Sequence, residues 1–360
     1  MSAPRPHQAL QAWSALLAAG TARGALVTLV GADGGTSKLL GTQLAVADDG
    51  RAFGSVTIGG CADGRAVIAA RESVRSGMRA VLALPLSEAD ALALGLGCAG
   101  DIELVVEPVE LRAHAPLAVA LAEAEASMAR GDRAALVTPL EGALGRLLVR
   151  ADGSAAGTLG TPARDAAAAA RMTHRLADAR MESGVEEWEG ERWFVQLLAP
   201  APTVLVIGAT DVAAAFCVVG APLGWRTVLI DPREDVLAEP RFASAGDRES
   251  AMPAESVAVH LRGDVAAVVI LAHDYKVEIP VLRVALRSAT PYVGMLGSVK
   301  RAAAVRGLLA DDGVTADELA RLHAPIGLRI GAKGPAEIAV SIAAEVIATM
   351  RAATPAPAGA

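Results

Sequence analysis

The sequence predicts an α/β protein: an N-terminal α+β domain with a duplicated β-rich unit, followed by a Rossmann-like domain with a parallel sheet. Three observations lead to this fold class. Two segments of the first half, from Gly24 and from Ala134, repeat one order of strands around an Asp-Gly turn. The proline-alanine segment LAPAPT separates the halves. After it, short apolar strands alternate with helices, as in a parallel sheet covered on both faces.

The two copies in the first half share their turns and their closing residues. The first turns at Asp49-Gly50 and closes on Gly54-Ser55-Val56. The second turns at Asp152-Gly153 and closes on Gly157-Thr158-Leu159. An Asp-Gly pair between apolar strands predicts a hairpin, and its recurrence in matching context predicts a duplicated unit.

Each copy leads into a helix. Asp63 is expected to be the N-cap of the first, and the second is expected to follow Thr161 with Pro162 at its first position. The second copy lacks the glycine-cysteine loop of the first, so only the first is expected to be functional. The predicted domains are an α+β domain at 1–200, with repeats at about 23–110 and 133–198, a Rossmann-like domain at 203–352, and a disordered tail at 353–360.

Composition excludes several classes of protein. The 360 residues predict two or three domains. A formal net charge of -7, without basic runs, gives no footprint for nucleic acid. Three cysteines without a paired spacing indicate a reducing compartment, and no His/Cys pattern predicts zinc. The most apolar window, 203–225, is interrupted by Asp211 and Pro222, so we expect a cytoplasmic protein without a membrane span.

The second half is expected to supply the parallel sheet. Its predicted strands are TVLVIG, RTVLID, SVAVHL, AAVVILA and TPYVGMLG. The turn after the first strand keeps Gly208, the first glycine of a dinucleotide-binding loop. Thr210 stands where a second glycine would let the backbone approach a pyrophosphate. The pattern supports the fold but not dinucleotide binding.

Asp231 closes the second strand, roughly 20 residues beyond Gly208, where this fold carries the acid that binds a ribose. It could equally cap the turn that it forms with Pro232. Arg233 could accept a 2'-phosphate, but it is expected to be solvated surface. Both roles of Asp231 therefore stay open.

Polar residues collect where ligands of such sheets bind, beyond the carboxyl ends of the strands. Gly297 and Ser298 follow the last predicted strand, and Ser298 can cap the next helix. Lys300 and Arg301 lie in the first turn of that helix, so free amides and two cations predict a site for an anion such as phosphate. His273, which follows the fourth strand, could bind a ligand, move a proton or hydrogen-bond to a loop carbonyl.

Cys61 follows Gly59 and Gly60 in the stretch GSVTIGGCADG. A buried structural cysteine usually has bulky apolar neighbours, whereas glycines leave the thiol and nearby amides open to a ligand. Cys61 is therefore a candidate binding residue. Cys217 lies on the apolar face of the first helix of the second domain and is expected in the core.

Six motifs spread over nearly the whole chain are GSVTIGGCADG, GLGCAGDIELVVEPV, VIGATDVAAAF, LAHDYKVEIPVL, YVGMLGSVKR and LHAPIGLRIGAKGPAEIAVSI. Together they resemble motifs of the XdhC/CoxI family, the accessory proteins of molybdenum hydroxylases such as xanthine dehydrogenase and carbon monoxide dehydrogenase. The last motif is the longest and the most specific. By this resemblance, the domain at 1–200 is of the XdhC/CoxI type.

The resemblance implies a molybdenum cofactor chaperone rather than an enzyme. Such a protein would hold the cofactor while a cysteine desulfurase exchanges an oxo ligand for sulfide, and pass it to a molybdenum hydroxylase apoenzyme; a homodimer is also implied. Cys61 becomes the metal ligand, since molybdenum accepts soft sulfur and the following helix would stabilise the thiolate. The resemblance also makes Cys98 a candidate contact to the metal end. The other candidate cofactor-binding residues are Ser37, Lys38, Gly59, Gly60, Asp63, Gly208, Asp231, His273, Gly297, Ser298, Lys300 and Arg301.

The sequence departs from the family pattern at several positions: Lys38 replaces arginine, Thr210-Asp211 replace Gly-His, and Glu278 and Arg329 each replace aspartate. Asp211 adds negative charge where an anion would dock. Two alternatives therefore stay open. One is an NAD(P)-dependent oxidoreductase, and the other is a scaffold for a client hydroxylase whose cofactor site has decayed.

Overall fold

The computed structural model describes residues 10–33, 39–57, 60, 62–86, 100–111, 116–142, 144–178 and 181–352. The chain forms two compact units that divide between Pro200 and Ala201. Antiparallel sheets in the first unit and a parallel sheet in the second confirm the predicted fold class.

The first half of the first unit contains one antiparallel sheet and two described helices. Its elements are α1 (Gln11–Ala18), β1 (Arg23–Asp33), β2 (Gln43–Ala47), β3 (Ala52–Gly54), α2 (Asp63–Ser76), β4 (Ala80–Leu86) and β5 (Gly100–Glu110). The strands pair in the order β3-β2-β1-β5-β4. The Asp49-Gly50 turn joins β2 to β3, as predicted.

The second half of this unit repeats the arrangement. Its elements are α3 (Pro116–Arg130), β6 (Ala134–Pro139), β7 (Arg146–Arg150), β8 (Ala155–Thr158), α4 (Pro162–Leu176), β9 (Gly184–Trp188) and β10 (Glu191–Leu198). The strands pair in the order β8-β7-β6-β10-β9, which is the order of the first sheet. The predicted duplication is therefore confirmed.

Each sheet of the first unit is buried on both faces. Leu26 of β1 and Leu136 of β6 share a cluster with residues of α1 and α3, so the two sheets pack against each other there. One residue further along, Val27 packs with α2 and Val137 packs with α4. This alternation follows the two-residue period of a strand, and it explains why β1 and β6 are apolar on both faces.

Glu107 of β5 is buried between these sheets with two arginines. It forms ion pairs with Arg79 and Arg146, and Arg146 also donates to the Thr28 hydroxyl at 3.1 Å. The side chains of Glu107 and Arg146 are 0% exposed. Burial alone would raise the pKa of Glu107, but the two guanidinium groups hold it below its ordinary value. The charged carboxylate thus ties β5 of the first copy to β7 of the second.

The second unit contains one parallel sheet with helices on both faces. Its elements are β11 (Thr203–Ile207), α5 (Asp211–Gly220), β12 (Arg226–Ile230), α6 (Glu234–Leu237), β13 (Asp247–Glu249), α7 (Pro253–His260), β14 (Val265–Ile270), α8 (Tyr275–Leu286), β15 (Tyr292–Met295), α9 (Val299–Asp311), α10 (Ala316–Ala320), β16 (Leu322–His323) and α11 (Gly334–Ala352). The strands pair in the order β13-β12-β11-β14-β15-β16.

The two faces of this sheet have separate cores. Phe216 of α5 and Ile342 of α11 lie in the cluster on one face. Val257 of α7, Leu282 of α8 and Val305 of α9 lie in the cluster on the other. Among the helices described, none combines the length and apolarity that crossing a bilayer requires.

One predicted strand of the second unit is wrong. SVAVHL lies in α7, a helix that has Pro253 in its first turn. A strand would place Val257 and Val259 on the same face, but Val257 is buried while Val259 is 62% exposed. The strand in this part of the chain is β13, which pairs with β12 at the edge of the sheet. Its sequence, Asp-Arg-Glu, carries no apolar signal.

Candidate functional site

Most candidate residues of the first unit fall outside the described residues, namely Ser37, Lys38, Gly59, Cys61 and Cys98. Described residues beside them lie at one end of the first sheet. Asp33, the last residue of β1, pairs with Asp101, and Leu86, the last residue of β4, pairs with Gly100. The functional role of the five candidates remains a prediction.

Asp63 does not cap α2, contrary to expectation. Ala62 is the N-cap, and Asp63 is the first residue of the helix. Its Oδ1 accepts hydrogen bonds from the backbone N–H of Val56 at 3.2 Å and from the hydroxyl of Thr57 at 3.4 Å. The carboxylate therefore braces the loop between β3 and α2 instead of satisfying an amide of the helix.

The second copy makes the same contact. Asp165 accepts from the backbone N–H of Leu159 at 2.6 Å and from the hydroxyl of Thr158 at 2.8 Å. Because this copy lacks the Gly-Gly-Cys sequence, the contact belongs to the duplicated fold rather than to a binding site. Gly60, within that sequence of the first copy, has φ of +72°, a conformation that favours glycine.

Candidates of the second unit lie along the carboxyl edge of the parallel sheet. Gly208 follows β11, and its N–H donates to the Ile230 carbonyl at the end of β12, at 2.9 Å. The parallel strands bring residues that are far apart in sequence to this edge. The candidates that follow the ends of β11, β12, β14 and β15 are Gly208, Asp231, His273, Gly297, Ser298, Lys300 and Arg301.

The turn after β11 requires a glycine. Gly208 has φ of +97°, and a Cβ there would lie 2.8 Å from the backbone nitrogen of Ala272. At the second-glycine position, the Thr210 hydroxyl accepts from the Ala213 N–H at 3.3 Å and caps α5. Thr210 therefore serves as the N-cap of the helix and does not open the turn to a pyrophosphate.

An arginine from outside the turn faces Asp211. Arg241, in the single helical turn Pro240–Phe242, forms an ion pair with Asp211. The same guanidinium bonds Glu239 at 2.9 Å. One cation thus lies between two carboxylates, so the negative charge that Asp211 brings to this edge is offset in part.

Asp231 is fully engaged by the protein. Its Oδ1 accepts from the Arg233 backbone N–H at 3.0 Å and from Nε at 2.8 Å. Its Oδ2 accepts from Arg233 Nη2 at 2.8 Å and from the Ala209 N–H at 2.7 Å. Burial alone would raise the pKa of Asp231, but these bonds hold it below its ordinary value. Asp231 therefore caps its turn, and Arg233 lies at the surface as expected, with its guanidinium paired to this carboxylate.

Replacing Asp231 with asparagine is expected to lower the free energy of unfolding by about 1–3 kcal/mol at neutral pH, because a charged hydrogen-bond acceptor is lost. A carboxyl with a lowered folded-state pKa stabilises the fold above its unfolded pKa of ~3.9, and this contribution disappears as the pH falls through the folded-state pKa. In urea denaturation, the difference between wild type and Asp231→Asn should therefore shrink from neutral pH to about pH 3. A difference that is equal at both would contradict this assignment.

Ser298 caps α9 as predicted, since its Oγ accepts from the Arg301 N–H at 3.2 Å. Lys300 is exposed. Arg301, the second cation expected at this edge, is paired within the protein. Its Nη2 donates to Glu278 Oε2 at 2.6 Å, and its Cζ lies 4.1 Å from the centroid of the Tyr275 ring.

His273 is exposed after the end of β14. Its neighbour Asp274 is occupied, because its Oδ1 accepts from the Lys276 N–H at 2.9 Å and caps α8. A hydrogen bond from His273 to a loop carbonyl, one of the open alternatives, is not found in the described part of the chain. The imidazole is therefore accessible to a ligand.

Glu278 is a residue of this edge that the sequence reasoning did not assign to the site. It lies in the first turn of α8 with 0% exposure, on the face that also buries Val281 and Leu282. A carboxylate on the apolar face of a helix was the signal that could have found it. Burial raises the pKa of Glu278 despite the Arg301 guanidinium. Gly297 leaves room for this arginine, since a Cβ there would lie 3.1 Å from Arg301 Cδ.

Cys217 lies in the core of the second unit, as predicted. Burial raises the pKa of its thiol to about 11, so the thiol is protonated at neutral pH and is no candidate for a metal ligand. Within the described ranges, no group of three His, Cys, Asp or Glu side chains is arranged to hold a metal ion.

Two family models match the chain. The model of the XdhC and CoxI family matches residues 17–84, and the model of the XdhC Rossmann domain matches residues 204–346. The first range lies in the first unit and the second in the second unit. Together they span more than half of the chain.

The individual relatives share little sequence identity with this chain. A protein of Bacillus subtilis (strain 168), described as a probable subunit of xanthine dehydrogenase, is 27% identical over 158 residues, 44% of this chain and 46% of the relative. The uncharacterized protein YqeB of Escherichia coli (strain K12) is 27% identical over 220 residues, 56% of this chain and 40% of the relative. The chain thus spans less than half the length of these relatives. A crystal structure described as a xanthine dehydrogenase from Bacillus halodurans shares the fold, with a TM-score of 0.74 and 24% identity over 98% of both chains.

Proposed function

The chain belongs to the XdhC and CoxI family, and on this ground we propose that it is an accessory protein of a molybdenum hydroxylase that carries the molybdenum cofactor. It holds the cofactor, supports its sulfuration by a cysteine desulfurase and inserts it into the hydroxylase apoenzyme. The observation that carries the proposal is that both units match models of this family. The relative described as part of a xanthine dehydrogenase supports the type of client. We place this activity in the cytoplasm and in a homodimer.

The second unit offers contacts for the phosphate end of such a cofactor. Helix α9 has unpaired amides in its first turn, as every helix does, and Ser298 satisfies one of them. The exposed Lys300 adds a cation in the same turn. Helix amides together with a cation stabilise an anion, so this edge fits the charge of a phosphate. His273, exposed after the neighbouring strand, is the candidate for a further polar contact.

The metal end is assigned to Cys61 by the family resemblance. Among the described residues next to it, Gly60 carries no side chain, and α2 begins at Asp63. A thiolate near a helix N-terminus is stabilised by the helix dipole. When bound, the cofactor would supply the molybdenum that the client hydroxylase needs. The chain itself would supply the metal ligand and the contacts to the phosphate.

Cofactor retention tests this proposal. Wild type, Cys61→Ala and, as a matched control, Cys217→Ala are incubated with cofactor released from a molybdenum enzyme, and are then separated from the excess by gel filtration. Wild type and Cys217→Ala are expected to retain molybdenum and pterin, because Cys217 is a core residue. Cys61→Ala should hold molybdenum at least about 10-fold less tightly. Full retention by Cys61→Ala would refute its role as a ligand, and no retention by wild type would refute the carrier function.

Two further measurements, capture of a hydroxylase and calorimetry, separate the two alternatives. A scaffold with a decayed site would capture a hydroxylase polypeptide yet retain no cofactor. An NAD(P)-dependent oxidoreductase would show saturable heat on calorimetric titration with a nicotinamide dinucleotide. The contacts of Asp231 argue against the oxidoreductase, since a ribose hydroxyl would have to compete with Arg233 and two backbone N–H groups for the carboxylate. We expect no saturable binding of either dinucleotide.

A further inference from the structure

The ion pair between Glu278 and Arg301 is only half satisfied. Oε2 of Glu278 accepts from Arg301 Nη2 at 2.6 Å, whereas Oε1 has no hydrogen-bond partner among the described residues. Nε of Arg301 is also without one in this part of the chain. Both atoms are buried, and a buried polar atom without a partner is costly, all the more in a charged group. Glu278 Oε1 therefore lacks a hydrogen-bond donor, and Arg301 Nε lacks an acceptor. Another group must supply both.

The position of the pair points to a ligand. Glu278 lies in the first turn of α8 and Arg301 in the first turn of α9, two helices that follow β14 and β15 at the carboxyl edge of the sheet. The side chain of Glu278 is 0% exposed, so its free oxygen is directed into the protein next to the first turn of α9. This is the edge at which sheets of this type bind their ligands.

The Tyr275 side chain lies against the pair on the side of Arg301. The Tyr275 ring lies over the guanidinium, with 4.1 Å between its centroid and Cζ, and Tyr275 is 40% exposed. A tyrosine on the surface changes its rotamer rapidly, whereas the buried carboxylate is fixed by its helix and by its ion pair. A ligand therefore reaches Glu278 and Arg301 by displacing the Tyr275 ring.

The two missing partners define the chemistry of the ligand. Glu278 Oε1 needs a hydrogen-bond donor, and Arg301 Nε needs an acceptor close to it. A cyclic amide presents both, as N–H next to C=O. The pyrimidinone ring of a pterin has this edge at N3 and C4. We infer that Glu278 and Arg301 bind the lactam edge of the pterin, an inference that rests on the proposed cofactor function.

Free pterin, which carries neither phosphate nor metal, isolates this contact. Its fluorescence is titrated with wild type, with Glu278→Gln and with Glu318→Gln. Glutamine keeps the shape of Glu278 but loses the charge that accepts the N–H, so binding should weaken at least about 10-fold. Glu318→Gln is the matched control, because Glu318 belongs to the capping box of α10. This helix precedes β16, so it lies at the amino ends of the strands, opposite the carboxyl edge that carries Glu278. A glutamine can fill the same place in that box.

A second probe uses wild type alone and is independent of any folding defect. Pterin methylated on the oxygen at C4 lacks both the carbonyl and the N3–H. It should bind at least about 10-fold more weakly than pterin. Equal binding of the two compounds, equal binding by wild type and Glu278→Gln, or no binding of pterin by wild type would each overturn the inference. Cofactor retention measured in parallel keeps the two proposals apart: retention without a pterin contact refutes only this site, and pterin binding without retention refutes only the carrier function.

Discussion

Glu107→Ala is expected to destabilise the protein by about 3–5 kcal/mol, which is a large part of the stability of most domains. The substitution leaves the guanidinium of Arg146, which is 0% exposed, without the Glu107 carboxylate. Removing one partner of a buried ion pair costs far more than the pair contributes, because the remaining charge has lost both water and its counterion. The loss should be seen as a lower urea midpoint in the unfolding of the first unit.

An exposed pair in the same unit is the control. Glu191 bonds Arg164 at the surface, and its side chain is 49% exposed. Glu191→Ala should change the free energy of unfolding by less than about 1 kcal/mol, since water replaces the lost partner. If Glu107→Ala and Glu191→Ala had similar effects, Glu107 would not tie the two copies together as the structure indicates.

Gly208→Ala is expected to cost about 2 kcal/mol or more. Its φ of +97° disfavours any Cβ, and that Cβ would lie 2.8 Å from the Ala272 nitrogen and 2.9 Å from its Cα. The backbone after β14 cannot move aside, because Leu271 donates to the Ile207 carbonyl at 2.8 Å. Thermal unfolding of the second unit, compared with wild type, measures this loss.

Gly307→Ala is the opposite case within the same unit. Gly307 lies inside α9, and a Cβ there would meet no heavy atom within 4 Å. Alanine should therefore stabilise the helix by roughly 0.5–1 kcal/mol. A Gly208→Ala protein as stable as wild type would show that the turn after β11 can adopt another conformation.

Local sequence signals predicted the fold class. The Asp-Gly pairs marked the hairpins of both copies, because each turn places its glycine at positive φ, +89° at Gly50 and +83° at Gly153, where other residues are strained. The strands β11, β12, β14 and β15 were visible as continuous apolar runs, since both faces of the parallel sheet are covered. β13 was missed because it is short, charged and at the edge of the sheet, and SVAVHL was misread because valine-rich segments also occur in helices.

The site was predictable only where contacts are local. Ser298 caps a helix whose amide lies three residues away, so its role could be read from the sequence. Arg301 reaches Glu278 across 23 positions, and Arg241 reaches Asp211 across 30, so these partners depend on how the sheet edge is assembled. The sequence predicts Asp63 as an N-cap because the residue type alone does not distinguish an aspartate that bonds forward into a helix from one that bonds back into a loop.

Delivery of molybdenum tests the carrier function most directly. The chain is loaded with released cofactor, separated from the excess and mixed with a molybdenum hydroxylase apoenzyme, while the same concentration of free cofactor serves as the control. The molybdenum content of the re-isolated hydroxylase is then measured over time. A carrier should deliver more molybdenum than free cofactor does, because bound cofactor is protected until transfer. Delivery no greater than that of free cofactor would contradict the function proposed for this protein.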